Sequence, residues 1–430
     1  MSEWRNWAGN QVAAPVAIHR PADEDEIAAV VKQAAAQGIT VKAAGAGHSF
    51  TAAAVTEGRL VELDRFTRVL DVDTEHYRAT VQAGITLEAL NEALDERGLA
   101  FPNLGDIAYQ TVAGATSTAT HGTGRALPGL AAQIVAMRIV TGDGSVVSCS
   151  ADEEPDVFHC ARVGVGALGI VSTVTLQLVP SFHLHAVNEP MRLDAVLADL
   201  DALVDQNDHF EFFWVPHTGW ALTKRNNRTT EPLAPRPRVR QWWDQMAMEN
   251  FAFGVVCRLG RAKPEWIPRL ARALPASGRQ EYVDRSYKVF ASPRHVRFYE
   301  MEYELPREAC AEALTRIRRF VDDEGLLLSF PVEVRFTAAD DIPLSTGYGR
   351  ANAYIAVHVF EGTEYDAYFR GVERIMDDYG GRPHWGKLHF QSAETLAPRY
   401  PEWDRFQAVR RRLDPEGRFA NAYTRRLFGA

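Results

Sequence analysis

The sequence contains little cysteine and has no excess of positive charge. Its four cysteines, Cys149, Cys160, Cys257 and Cys310, lie far apart and form no CxxC pair. This spacing indicates neither a disulfide framework nor a zinc site, and it favours a reducing, cytoplasmic location. The formal net charge is -9, whereas a nucleic-acid partner requires clustered Lys and Arg. We therefore expect neither a bound metal nor a nucleic-acid partner.

Long apolar runs are also missing. No run approaches the ~20 residues of a membrane helix, and residues 1–10 are too polar for a signal peptide. We therefore expect a soluble protein without a membrane partner. Hydrophobic residues make up 46% of the chain and charged residues 24%, which is typical of a folded globular protein. A length of 430 residues favours two domains.

The first part of the chain has the pattern of an α+β domain. Asp23 and Glu26 mark the start of an amphipathic helix that stops at Gly38, and a strand at 39–43 follows. The remaining signals are a hairpin at 68–72 and 77–81, a helix that Thr86 caps and Gly98 ends, and a strand-rich stretch at 134–179.

Beyond residue 180 the composition changes. Trp, Phe, Arg and Glu become denser, and strand patterns appear at 210–215, 332–336 and 354–359, with a helical pattern at 307–320. This change predicts a second domain whose sheet presents side chains to a ligand.

Two turns of small residues are candidates for a cofactor site. Residues 105–124 read GDIAYQTVAGATSTATHGTG, and Gly, Ala, Ser and Thr fill fourteen of the twenty positions. Such a backbone can approach a ligand closely and offer N–H groups to a pyrophosphate, although tight packing would explain the same composition. Residues 45–49 form a second such turn after a strand. It is not G-x-G-x-x-G, so a nicotinamide cofactor is disfavoured.

Three groups of titratable residues accompany these turns. His48 is either a nucleophile toward a cofactor or an ordinary hydrogen-bonding residue. Glu333 and Arg335 are two apart in a strand and share one face, where they form either a structural ion pair or a polar-ligand site. Residues 380–387, GGRPHWGK, suit either a binding surface or an exposed basic loop.

Nine ordered segments carry a family resemblance over nearly the whole chain: 6–7, 45–49, 103–105, 111–114, 120–124, 330–336, 340–342, 382–387 and 413–415. In these segments the chain resembles the gulonolactone oxidase family of aldonolactone oxidoreductases, a branch of the vanillyl-alcohol oxidase flavoprotein superfamily that also holds alditol oxidase. The resemblance implies an α+β fold with a two-subdomain FAD-binding domain at 1–180. It further implies a cap domain at 181–395, with an antiparallel sheet flanked by helices, and a segment at 396–430 that returns to the first domain.

The resemblance also implies FAD attached covalently through His48. The cofactor-binding residues that it implies are Gly45, Ala46, Gly47, His48, Ser49, Gly105, Asp106, Thr111, Gly114, Thr118, His121, Gly122, Gly169, Val171, Lys387 and Asn421. The catalytic residues that it implies are Glu333, Arg335 and Lys387, with His358 and His384 as further members. Glu333 and Arg335 are expected to hold substrate hydroxyls, Lys387 to lie near flavin N1, and Glu333 or His358 to accept the proton.

The implied reaction is oxidation of an aldono-1,4-lactone such as L-gulono-1,4-lactone, with hydride transfer to flavin N5. Gly105, where relatives with Gly rather than Ala react faster with dioxygen, favours reoxidation by dioxygen to give hydrogen peroxide. An alditol oxidase, or a lactone dehydrogenase with another acceptor, is the alternative. Alditol oxidase-like sequences have a residue with a short hydroxyl side chain where this chain has Asp106. This difference leaves the identity of the sugar substrate undecided. Membrane-bound members have apolar segments in the cap, whereas this chain has charges scattered through 241–270, among them Asp244, Glu249, Arg258, Arg261, Lys263 and Glu265.

Overall fold

The structure is a computed structural model that describes residues 3–237, 251–273, 278–292 and 295–429. Of the charged residues named at 241–270, Asp244 and Glu249 lie outside these ranges. Within them, no helix is both long and apolar enough to cross a bilayer.

The first 180 residues contribute short strands to four sheets. The strands are β1 Trp4–Arg5, β2 Val12–Ala13, β3 Ala17–His19, β4 Val41–Ala44, β5 Arg59–Glu62, β6 Val69–Asp73, β7 Arg78–Gln82, β8 Leu99–Ala100, β9 Ile134–Val140, β10 Val146–Ser150, β11 Ile170–Gln177 and β12 Val179–Pro180. Two sheets dominate this part. One is parallel, in the order β3-β5-β4, and the other is antiparallel, in the order β10-β9-β11-β7-β6.

Local sequence signals in this part produce the elements that they predict. Helix α1, Glu24–Gln37, begins where the Asp23 side chain accepts a hydrogen bond from the Glu26 N–H, and it ends at Gly38, whose φ is 66°. Its buried Ile27 and Val31 pack in one core with Val41 of β4. The predicted hairpin is confirmed as β6 and β7, and helix α2, Leu87–Asp95, is capped by the Thr86 side chain.

The second part is built on one eight-stranded sheet in which every neighbouring pair is antiparallel. Its strands are β13 His183–Arg192, β14 His209–Trp214, β15 Trp220–Thr229, β16 Gln280–Arg285, β17 Phe298–Pro306, β18 Val332–Thr337, β19 Asn352–Phe360 and β20 Arg382–Pro383. Their order is β16-β13-β15-β14-β18-β19-β17-β20. The central strands β18 and β19 are buried at every position.

Helices cover the sheets and close the chain. The remaining helices are α3 Val112–Ser117, α4 Pro155–Ala161, α5 Leu193–Ala198, α6 Leu200–Asp205, α7 Phe253–Ala262, α8 Ile267–Ala273, α9 Ser286–Phe290, α10 Cys310–Asp323, α11 Asp366–Asp377, α12 Ala393–Leu396, α13 Trp403–Leu413 and α14 Ala422–Phe428. The amphipathic α10 buries Leu314 and Ile317 in one core with Val334 of β18 and Val357 of β19. This face of the large sheet is therefore apolar and covered.

The last 35 residues pack against the first part of the chain. Tyr400, Phe406 and Leu427 share a core with Val81 of β7 and Val174 of β11. Because a shared apolar core links segments that are distant in sequence, the C-terminal segment closes the first part. This packing supports the predicted boundaries at 180 and 395, which stay a prediction.

Candidate active site

A cavity lies where the turn at 45–49, helix α3 and the loop at 384–387 meet. Twelve of the predicted site residues lie in its wall: Gly45, Ala46, Gly47, His48, Ser49, Thr111, Gly114, Thr118, Gly169, Val171, His384 and Lys387. Two hydrogen bonds join the first turn to the loop, since the Phe50 N–H (2.7 Å) and the Ser49 hydroxyl (3.2 Å) both donate to the carbonyl of Gly386. Motifs more than 300 residues apart therefore form one wall.

The backbone of the first turn has the shape of a cradle for an anion. A Cβ atom on Gly45 would lie 2.1 Å from Thr111 Oγ1, and Gly47 has a φ of 70°, so both positions favour glycine. Across the described part of the chain, no acceptor receives the backbone N–H groups of residues 46–49. Consecutive free N–H groups in a glycine-rich turn are suited to a pyrophosphate.

The opposite wall begins at helix α3. Thr111 caps this helix, because its Oγ1 accepts a hydrogen bond from the Gly114 N–H at 3.2 Å. The Thr118 hydroxyl donates to the Gly114 carbonyl at 2.9 Å. Small side chains thus leave room between the two turns, and the residues present fit the dinucleotide of FAD.

The His48 imidazole lies between two aromatic rings at the cavity. Its ring stacks with Trp7 (centroids 5.4 Å apart) and Tyr109 (6.3 Å). Burial first, and then the Lys387 ammonium, lower the pKa of His48 to about 4. The ring is therefore neutral near pH 7 and keeps a nitrogen lone pair, as a nucleophile requires.

Charged side chains occupy the buried face of the eight-stranded sheet that is turned away from α10. Cross-strand pairing places Lys224 opposite Glu211, and it places both Arg335 and Glu304 opposite Tyr354. Cross-strand partners share a face, so this row of side chains crosses five strands.

Arg335 is the centre of the first charge cluster. It forms an ion pair with Glu333, and its guanidinium lies 2.8 Å from Glu211 Oε2 and 3.3 Å from Asp106 Oδ1. The predicted common face of Glu333 and Arg335 is confirmed, and both side chains are buried. Lys224 balances the charge of Glu211 at 3.0 Å.

Glu333 differs from the other carboxylates of this cluster. Burial raises the pKa of Glu333 to about 7 despite the Arg335 guanidinium, and the Asp106 and Glu211 carboxylates add to the increase. Arg335 lies close to Glu333 Oε1 without hydrogen-bond geometry, and no other donor in the described ranges reaches this oxygen. Of the carboxylates in this cluster, Glu333 is therefore the one whose pKa allows it to accept a proton near neutral pH.

Glu300 on β17 is the centre of a second cluster. It forms an ion pair with Lys387, and its Oε1 lies 3.4 Å from His358 Nε2. Burial disfavours the charged forms, but the ion pairs outweigh it, so the pKa of Glu300 is lowered and the pKa values of Lys387 and His358 are raised.

This cluster has the spacing of a metal site but not its electrostatics. Ligand atoms of Glu300, Glu333 and His358 lie within 4.8 Å of one another. Lys387 and Arg335 already neutralise the two carboxylates, and a divalent cation would have to displace them. We therefore interpret the cluster as an ion-pair network.

His384 and His121 lie beside Glu302, the next inward-facing carboxylate of β17. His121 Nε2 is 3.3 Å from Glu302 Oε1, and the His121 ring stacks on Tyr354 at 3.6 Å. His384 Nδ1 accepts a hydrogen bond from the Gly386 N–H, and burial lowers its pKa to about 3. His384 is therefore neutral, with its proton on Nε2.

Five predicted cofactor residues lie behind the cavity wall. Asp106 reaches Arg335, and the His121 Nδ1–H donates to the Gly122 carbonyl. A Cβ atom on Gly105 would lie 3.1 Å from the His121 carbonyl oxygen. Asn421 caps α14, and its amide donates to the carbonyls of Ala52, Ala53 and Val55, so it supports the loop after the first turn.

Sequence reasoning missed the carboxylates of β17. Glu300, Glu302 and Glu304 recur at every second position between apolar residues, which is the pattern of a strand with one charged, buried face. It also missed Lys42, whose buried ammonium donates to the carbonyls of Gly166 (2.9 Å) and Phe419 (3.0 Å) at the cavity wall.

Two family models match the chain. Residues 174–427 match D-arabinono-1,4-lactone oxidase, and residues 15–150 match an FAD binding domain. The chain is 50% identical to an L-gulono-1,4-lactone dehydrogenase of Mycobacterium tuberculosis, with 99% of both chains covered. It is 34% identical to an L-gulonolactone oxidase of Bos taurus (99% and 98% covered) and 32% identical to an alditol oxidase of a Streptomyces species (98% of both).

A solved structure shows the same fold at low sequence identity. A solvent-stable cholesterol oxidase superposes with a TM-score of 0.85 at 18% identity, and the match covers 97% of this chain and 96% of that chain. The predicted fold class, an FAD-binding domain with a sheet-rich cap, is confirmed, and so is the prediction of FAD as the cofactor. The chain belongs to the D-arabinono-1,4-lactone oxidase family of flavin-dependent oxidoreductases.

Proposed function

We propose that the protein oxidises the ring carbinol of an aldono-1,4-lactone, with L-gulono-1,4-lactone as the representative substrate and a 2-keto lactone as the product. The observation that carries this proposal is the buried pair Glu333 and Arg335, which lies behind the cavity wall and is linked through Glu300 to Lys387 of that wall. The names of the relatives at 50% and 34% identity support the same substrate class.

FAD, when bound, supplies the acceptor for the hydride of the carbinol carbon. The N–H groups of residues 46–49 and the Thr111 and Thr118 side of the cavity hold its pyrophosphate. His48, whose neutral ring stacks with Trp7 and Tyr109, would carry the covalent attachment to the cofactor. Lys387 places a fixed positive charge where reduction adds negative charge.

Glu333 accepts the hydroxyl proton of the substrate. Its pKa of about 7 is suited to general-base catalysis near neutrality. Arg335 donates to neighbouring hydroxyls or to the lactone carbonyl, and Glu211 and Asp106 hold its guanidinium in place. Burial of Glu333, Arg335 and Glu211 limits their contact with water, which strengthens these interactions.

Dioxygen is the proposed electron acceptor, with hydrogen peroxide as the product. Gly105 supports this proposal through the resemblance to relatives in which glycine at this position accompanies faster reaction with dioxygen, and its Cβ position lies 3.1 Å from the His121 carbonyl oxygen. The second candidate is a lactone dehydrogenase that passes electrons to another acceptor. The relative at 50% identity, named a dehydrogenase, favours this candidate.

A substrate panel tests the proposed function. Purified protein is incubated with L-gulono-1,4-lactone, an arabinono-1,4-lactone and xylitol, while oxygen uptake and reduction of an artificial dye are followed in parallel. We expect lactone turnover with oxygen uptake. Dye reduction without oxygen uptake would select the dehydrogenase, and turnover of xylitol without any lactone would reject the lactone as substrate.

Substitution of Glu333 tests the proton acceptor. Glu333→Gln should lower kcat/KM for the lactone by about 10²–10⁴-fold, because the amide cannot accept the proton. In the parent, the ionised carboxylate is the active form, so kcat/KM should rise as pH increases through about 7 and then level off. Glu304→Gln, a buried carboxylate on the same sheet that pairs with Arg350, is the control and should keep this profile. A profile that falls through this range would refute the assignment.

Substitution of His48 tests the covalent link. Flavin should stay with the parent polypeptide after acid precipitation and should be released from His48→Ala, because alanine offers no nucleophile. Mass spectrometry of the peptide that contains residue 48 locates the adduct. His76→Ala, which removes an exposed histidine, should retain the flavin. Release of flavin from the acid-treated parent would show that the cofactor is bound without a covalent bond.

Substitution of Gly105 tests access of dioxygen. In Gly105→Ala, stopped-flow measurements should show slower flavin reoxidation by dioxygen at an unchanged rate of reduction by lactone, since the added methyl group meets the His121 carbonyl. Gly129→Ala is the matched control, because its methyl group would face Thr120 and His121 at ordinary contact distances of 3.5 and 3.8 Å. Equal reoxidation rates in both variants and the parent would show that Gly105 does not control the access of dioxygen.

A further inference from the structure

The carboxylate of Glu300 is enclosed by the two cations that it contacts. Its side chain is 4% exposed, and β17 pairs with β19 so that Glu300 lies directly opposite His358. The loop at 384–388 runs along the other edge of β17, where the His384 N–H donates to the Glu302 carbonyl and the Leu388 N–H donates to the Glu300 carbonyl at 2.8 Å. Main-chain hydrogen bonds thus place Lys387 at the Glu300 side chain.

Hydrogen bonding determines the protonation state of His358. Its Nδ1 lies 3.0 Å from the Pro331 carbonyl oxygen, and because a carbonyl only accepts, Nδ1 must carry a proton. Its Nε2 faces Glu300 Oε1 at 3.4 Å. A neutral ring with its proton on Nδ1 would point a lone pair at the carboxylate, which is repulsive. With Glu300 ionised, His358 is therefore an imidazolium and has no free nitrogen to accept a proton.

The surroundings of His358 leave Glu300 as the main reason for this charge. Phe298 and Phe330 pack against the ring at 5.3 and 6.2 Å and offer no charge. Glu333 on β18 adds negative charge, whereas Lys387 opposes protonation. Glu300 is in contact with both His358 and Lys387, and Glu302, two residues along β17, acts on Lys387 together with Glu333.

We infer that Glu300 is a positioning residue that holds His358 and Lys387 as two fixed cations, so that Glu333 is left as the base of the site. This role rests on the proposed function, since the two cations serve catalysis only if a hydroxyl is oxidised beside them. His358 then stabilises the negative charge that develops on the substrate oxygen, and it takes no proton from that oxygen.

Nuclear magnetic resonance of the histidine ring nitrogens tests the inference on the FAD-loaded protein without substrate. A His358→Gln variant identifies the His358 signals by their loss. We expect both ring nitrogens of His358 to be protonated at neutral pH in the parent. In Glu300→Gln, which keeps the size of the side chain but removes its charge, the pKa of His358 should fall by about one to three units.

Glu304→Gln is the matched control, because Glu304 is a buried, ion-paired carboxylate on the same strand and face. It should leave the His358 titration unchanged, and Glu300→Asp should restore it in part. A neutral His358 in the parent at neutral pH would overturn the inference, and so would an imidazolium that persists in Glu300→Gln. The inference stays testable even if Glu300→Gln fails to fold, because the protonation state of His358 in the parent can by itself contradict it.

Kinetic measurements on the parent and on Glu300→Gln distinguish a failure of this inference from a failure of the proposed function. If the parent turns over no lactone, the proposed function fails while the charge of His358 is still measured. If the parent is active, Glu300→Gln should lower kcat more than it changes KM, because the substrate contacts of Glu333 and Arg335 remain. A change in KM with kcat retained would overturn the positioning role.

Discussion

The structure depends on the mutual neutralisation of charges on one buried face of the eight-stranded sheet. Glu333, Glu211 and Glu300 are each in contact with a cation, supplied by Arg335, Lys224 and Lys387. An isolated ionised group would be very costly in such surroundings, so each carboxylate depends on its cation, and Glu333 still has a raised pKa of about 7. The consequence is a dry site in which positive and negative groups are fixed before a ligand enters.

The site is assembled from segments that are far apart in the chain, and each segment contributes different chemical groups. The turn at 45–49 and helix α3 offer backbone N–H groups and space, which suit a cofactor. The large sheet offers charged side chains, which suit a polyol or lactone. The loop at 384–388 contacts both, since Gly386 accepts hydrogen bonds from Ser49 and Phe50 while Lys387 pairs with Glu300. This loop therefore fixes the position of the cofactor site relative to the charged face of the sheet.

Local sequence patterns predicted the elements well and the pairings between them poorly. Asp23, Gly38 and Thr86 mark helix ends because capping depends on nearby residues, and the common face of Glu333 and Arg335 follows from the two-residue period of a strand. The contacts of Glu300 with His358 and Lys387 depend on the strand order β18-β19-β17-β20, which no local pattern contains. The amide of Asn421 donates to the carbonyls of Ala52 and Val55, a contact that no local pattern contains, and its role toward the cofactor stays a prediction.

A crystal structure of the FAD-loaded protein with L-gulono-1,4-lactone bound would show directly whether cofactor and substrate meet at this site. We expect the flavin ring between His48 and Lys387, with lactone hydroxyls in contact with Glu333 and Arg335 and the oxidised carbon turned to the ring. A lactone bound elsewhere, or a Glu333 and Arg335 pair that faces away from the flavin, would contradict it.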